Sequence, residues 1–194
     1  MTWLSMLARS LCAAALIAAR VTHAEPVAPA RLVPLSSQIA FVTRQMGVPV
    51  EGNFRKFEVQ AAFDPHRPEG GSVALQIDVA SASLGVPQSD AELPKPPWFD
   101  SARFPKAEFR SNAIKPLGGG RFEIAGRLTL KGSSKDVVVP VEITQSSGQS
   151  IATGSLTIQR LAFKIGDGEW TDTSIVADDV RVRFKLVLTG LGPL

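Results

Sequence analysis

From residue 37 onward the chain alternates between apolar and polar positions. In Asp179 to Leu188, Val180, Val182, Phe184, Leu186 and Leu188 are interleaved with Arg181, Arg183 and Lys185. A period of two places one set on each face of a β-strand. A strand with a dry side and a wet side belongs to an antiparallel sheet that wraps something. The same rhythm predicts strands at Ser37 to Thr43, Gly52 to Asp64, Ser72 to Ser83, Ala107 to Ile114, Arg121 to Leu130, Val137 to Ile143 and Gly154 to Arg160. Turn formers separate them, notably Asp64-Pro65-His66-Arg67-Pro68-Glu69-Gly70-Gly71, Gly118-Gly119-Gly120 and Lys131-Gly132-Ser133-Ser134-Lys135, segments rich in residues that supply fixed or positive φ angles.

One long stretch breaks the pattern. Between Gly85 and Pro105, Ser89 is placed to cap a short turn through Asp90 to Leu93, and Pro94, Pro96 and Pro97 end it. Trp98, Phe99 and Phe104 make this segment apolar, so it is expected to fold down as a lid or plug. A second loop, Ile165 to Asp172, joins the last two strands. Eight short strands joined by hairpins satisfy two all-β architectures, a closed barrel and a sandwich. Closure removes both sheet edges, and a ring of about eight strands is the size that holds one small ligand. Inward apolar residues of this kind form plain cores more often than pockets, and spacing alone leaves both readings open.

The first residues need separate treatment. Arg9 precedes the run Leu11 to Ala19, and Thr22 and Ala24 frame a small-residue cleavage site. The run is too short to span a bilayer and has the flanks of a secretory signal peptide. Residues 1–24 are therefore read as a cleaved signal, 25–34 as an extended tail and 35–190 as one domain, exported to the periplasm. Loss of Arg9 and Arg20 leaves 19 basic against 18 acidic side chains. That balance gives no electrostatic reason to expect nucleic acid. Cys12 leaves with the signal, so the mature chain has no disulfide framework.

Catalytic chemistry finds no footing. His66 is the only histidine after residue 24 and sits in a turn between prolines; a nucleophile–base pair cannot be named, and the chain is read as a non-enzyme. A zinc site lacks ligands. Asp167, Glu169, Asp172, Asp178 and Asp179 lack the register of a calcium loop and read as solvated loop acids. Arg160 shares a strand face with Leu156 and Ile158, and two roles are open to it. It is either a surface cation or a buried anchor at the barrel end, paired with a loop acid or a ligand oxygen. Trp170 either plugs the barrel or covers the loop.

Four segments in order then resemble the YceI-like family of exported, lipocalin-like proteins that bind polyisoprenoid lipids. They are Ser36 to Val42 with Val50 to Phe54, Trp98 to Ser111, Gly126 to Gly132, and Ile158 to Gly166 followed by Trp170 and Val180 to Leu188. The resemblance implies an eight-stranded antiparallel up-and-down barrel with an apolar tunnel for a prenyl chain or quinone, no cofactor and no catalytic apparatus. The lining candidates are Phe41, Phe54, Leu75, Ile77, Phe109, Phe122, Ile124, Leu128, Leu156, Ile158, Val182, Phe184 and Leu186, with Arg160 and Trp170 at the barrel end. It also raises a b-type cytochrome of the inner membrane as a docking partner, through the aromatic loop, and a homodimer. One departure bears on the head group: this chain has Arg44-Gln45 where the family usually carries a histidine after the first strand.

Overall fold

The structure, a computed structural model, describes residues 28–194; the expected signal peptide, 1–24, lies outside the described residues. The strands are β1 (Arg31–Leu32), β2 (Gln38–Gln45), β3 (Val48–Phe54), β4 (Phe57–Asp64), β5 (Arg67–Asp78), β6 (Ala82–Ser83), β7 (Lys106–Gly118), β8 (Arg121–Leu130), β9 (Ser133–Ser146), β10 (Gln149–Gln159) and β11 (Asp179–Thr189). One short helix, α1 (Pro87–Glu92), and several single 3-10 turns interrupt them.

The sheet runs β4-β5-β7-β8-β9-β10-β11-β2-β3, all antiparallel, and the chain itself completes the ring by running from β3 into β4. β3 and β4 are one long strand broken at Arg55 and Lys56; β2 pairs with its first half and β5 with its second. Counted that way, eight strands form an up-and-down barrel, and a sandwich is excluded. The break also explains an irregularity of the sequence. Val50, Gly52 and Phe54 follow the inward phase before it, and Val59, Ala61 and Phe63 follow it after, so the extra step at Arg55-Lys56 resets the alternation.

Residues 25–34 were expected as an extended tail. Their described part is extended and built into the wall, with Arg31 and Leu32 paired to Thr189 and Leu188 and Ala30 bridged to Ala61. This segment fills the gap at the end where β11 has outrun β2.

Local chemistry sets the boundaries. β5 stops at Asp78, whose side chain accepts the Ala80 amide and turns the chain into a 3-10 turn, so Val79 is buried but lies outside the strand. Ser89 is not the cap of the helix: α1 begins at Pro87, behind Val86, because proline's fixed φ suits the first helical position. Between β8 and β9 only Lys131 and Gly132 make the turn, with φ of 46° and 73°. Positive φ at both positions defines the tight hairpin turn whose twist matches that of the strands.

Candidate functional site

The inward faces do not fill the barrel. They enclose a cavity of about 360 Å³, within the range of roughly 300–1,000 Å³ common for small-molecule sites. Its wall takes Val180, Val182, Phe184, Leu186 and Leu188 from β11 alone. Eight residue steps at about 3.3 Å make that a path of roughly 26 Å along the strand. The cavity is therefore long, and it runs from the loop end of the barrel towards the opposite end.

Three glycines keep the lumen open. A Cβ at Gly52 would overlap the Phe41 ring, at Gly126 the Phe109 ring and at Gly154 the Phe184 ring. Each phenylalanine thus lies along the wall, over a glycine on the neighbouring strand, where a projecting ring would otherwise occupy the channel. Phe54 completes an aromatic corner, 5.3 Å from Phe41 and 6.0 Å from Phe99 between ring centres.

The structure places the candidates as follows. Phe41, Phe54, Leu75, Ile77, Phe109, Ile124, Leu128, Leu156, Ile158, Val182, Phe184 and Leu186 all line the cavity, as do Arg160 and Trp170. Phe122 does not. It sits at the far end behind Phe63, with the two rings edge-to-face at 5.7 Å, and is buried as an end plug. At the start of β8 its ring is turned against Phe63, which itself lines the cavity and stands between Phe122 and the lumen. Sequence reasoning missed Ile39, Val59, Val139 and Ile143, which carry the same alternation signal, and Leu93 and Ile165, which come from loops and carry none.

Two loops close the other end, and the aromatic segment is tucked in as expected. Phe99 is buried, and Trp98 packs on Trp170 at 5.4 Å. The amides of Gly166 and Asp167 both donate to the Pro97 carbonyl, joining the loops directly.

Arg160 is 1% exposed, so it is no surface cation. Nor does it pair with a loop acid or keep a donor for a ligand oxygen. Nε donates to the Ala177 carbonyl, Nη1 to Ile165 and Gly166, and Nη2 to Trp170 and Val176, at 2.6–3.0 Å. All five N–H groups of the guanidinium fork are thus matched by main-chain oxygens. Burial pushes its pKa down, opposed by the more distant charges of Asp178 and Asp167. Lys131 repeats the device: its Nζ donates to the carbonyls of Pro96, Pro97 and Lys164, with Asp167 at 3.7 Å. Burial lowers its pKa as well.

Two of the loop acids hold main-chain or side-chain donors, and Asp167, Glu169 and Asp179 are exposed. Asp172 accepts from Ser174, and Asp178 accepts the Leu161 amide. Among the described residues no group of three or more histidine, cysteine or acidic side chains could hold a metal.

The mouth can be located from exposure. Of all lining residues only Gln45, at the end of β2, and Glu92, at the end of α1, are exposed. Thr43 and Ser89 stand one step inside them, and apart from Arg160 these four are the polar members of the lining. Thr43 Oγ1 is buried with no hydrogen-bond partner, a state that costs about 1–3 kcal/mol when nothing relieves it.

Comparison with known proteins agrees with this architecture. A family model described as the YceI-like domain matches residues 31–188. A solved structure of Burkholderia cenocepacia BcnA is 43% identical, with a TM-score of 0.78, covering 80% of this chain and 98% of that one. A UPF0312 protein of Azotobacter vinelandii is 30% identical over 138 residues, 69% of this chain and 72% of the relative. At 17% identity and a TM-score of 0.65, a domain from Saccharophagus degradans, described as polyisoprenoid binding and implicated in plant cell wall breakdown, shares the fold over 86% of this chain and 99% of its own length.

Proposed function

The chain belongs to the YceI-like family, and on that premise we propose that it is a periplasmic carrier that holds an isoprenoid lipid in the barrel. The observation that carries this reading is the open lumen itself, a long apolar channel kept clear by phenylalanine rings laid over glycines. A prenyl chain offers only methyl groups and double bonds, so affinity comes from excluding water along its length. At roughly 0.3 kcal/mol per heavy atom, each five-carbon prenyl unit taken into the channel supplies about 1.5 kcal/mol. No hydrogen bond is needed for the tail, which suits a wall with polar groups only at one end.

The alternative, an interaction module docking on a membrane cytochrome, rested on an exposed aromatic loop. Phe99 is buried and Trp98 is stacked on Trp170, so those rings are already used within the barrel.

The test is native mass spectrometry of the full chain expressed with its leader and purified without detergent, followed by lipid extraction. An added mass of an isoprenoid lipid on a chain beginning at Glu25 is expected. In Gly52→Ala the new methyl meets only the Phe41 side chain, the ring turns into the lumen, and lipid occupancy falls about tenfold, the equivalent of 1.4 kcal/mol. A ligand-free mass together with no uptake of a prenylated fluorophore would end the carrier reading.

A further inference from the structure

The tail-binding lumen says nothing about the head group, but the mouth does. We infer that the mouth selects an uncharged, oxygen-bearing head group, a hydroxyl or a carbonyl, against a phosphate, and that Thr43 is the residue that recognises it. This inference rests on the carrier reading and goes further by choosing among its ligands.

Three observations carry it. First, Thr43 Oγ1 is buried and unpartnered at the inner edge of the mouth. A hydroxyl is a donor and an acceptor at once, so a neutral oxygen arriving beside Thr43 supplies the missing bond once a turn about χ1 brings Oγ1 to the lumen side. Second, among the described residues no cation of the lining is free to meet a phosphate inside the mouth. The five donors of Arg160 all go to main-chain carbonyls. Lys131 does not line the cavity, and its Nζ is held by Pro96, Pro97 and Lys164. Arg44, although next to Gln45, points to the opposite face of β2 by strand alternation and is absent from the lining. Third, the one charged side chain that the rim contributes to the lining is the carboxylate of Glu92, and Lys95, which does not line the cavity, is already paired with it at 2.6 Å. A phosphate drawn into this mouth would lose water without gaining a counter-charge and would face a like charge. Gln45 and Ser89 supply further neutral donors and acceptors to an uncharged head.

The experiment uses three probes with one shared tail: geranylgeraniol, geranylgeranyl phosphate and a headless C20 isoprenoid hydrocarbon. Each is titrated into lipid-stripped full-length mature protein, read by the fluorescence of Trp98 and Trp170 and checked by competition. Geranylgeraniol is expected to bind at least about tenfold more tightly than the phosphate. Thr43→Val keeps the shape of the lining and removes the hydroxyl; it is expected to bring geranylgeraniol down about fivefold, close to the hydrocarbon, while leaving the hydrocarbon's own affinity unchanged. Equal or tighter binding of the phosphate overturns the inference, and loss of that binding in Arg44→Gln would assign it to the outer face. An alcohol preference unaltered in Thr43→Val overturns the role of Thr43. If all three probes bind alike, the head-group inference fails and the carrier reading stands; if none binds, both fall.

Discussion

The two ends of the barrel are closed by opposite chemistries. At the far end Phe63 and Phe122 meet edge-to-face among buried aliphatic side chains, with the described N-terminal segment sewn in beside them. At the loop end the closure is polar: two buried cations, Arg160 and Lys131, gather eight main-chain carbonyl contacts from segments without regular pairing. A strand end presents side chains that pack, and contact area is enough to seal it. A loop presents carbonyls that no ladder satisfies, and a buried loop needs donors in the right places. A guanidinium fork provides five at once. The lesson is that the same barrel seals one end by surface area and the other by donor count, and the two respond differently to substitution.

Arg160→Met should show that difference most strongly. It leaves five carbonyls without donors in a dry site, and a loss of about 3–5 kcal/mol in urea unfolding is expected. Arg160→Lys should recover only part, since an ammonium offers three donors for five acceptors. Full recovery by lysine, or a loss below about 1 kcal/mol in the methionine variant, would mean that the loops hold without the fork. The far end should be more forgiving. Phe122→Leu exchanges one apolar shape for a smaller one and is expected to cost about 1.5 kcal/mol, with lipid occupancy unchanged because Phe122 does not line the channel. A drop in occupancy in this variant would put Phe122 back in the wall.

How legible was each region in the sequence? The wall was, because alternation is a statement about side chains. Val180 to Leu188 announces its inward face, and the same rhythm puts Phe41, Leu75, Ile124 and Leu156 on the lumen side. Phe122 is missing from the lining: alternation gives the face of a strand and not which neighbour, here Phe63, covers the ring. The polar clamp was hidden for a different reason. The acceptors of Arg160 are the carbonyls of Ile165, Gly166, Trp170, Val176 and Ala177, and every residue has a carbonyl, so no residue type marks the site. The mouth was hidden likewise: Thr43 continues the inward phase of Ile39 and Phe41, and only the enclosure around it reveals a hydroxyl without a partner.

The smallest expected effect belongs to a polar contact of the loop end that stays wet. Asp90 of α1 accepts the Ser83 hydroxyl and the Leu84 amide, with the Arg55 guanidinium at 3.7 Å. The Ser83 hydrogen bond, then the Leu84 amide and the Arg55 charge, hold its carboxyl below the ordinary 3.8. With the folded value lower than the unfolded one, the native state binds fewer protons in the window between them. The contribution of Asp90 is therefore complete above about 3.8 and fades as pH falls through the folded value. Hydrogen exchange at the Leu84 amide reads this directly. Its protection, taken relative to amides of β10, should decline as the solution is brought below about pH 3.8 and should be flat over the same range in Asp90→Asn. Because Asp90 is open to water, the loss should loosen the hinge between β6 and α1 without moving the midpoint of global unfolding, whereas any change at Arg160 moves that midpoint. Should acid shift the global midpoint through Asp90 as well, the helix would count as part of the barrel's closure and the distinction between a wet hinge and a dry clamp would disappear.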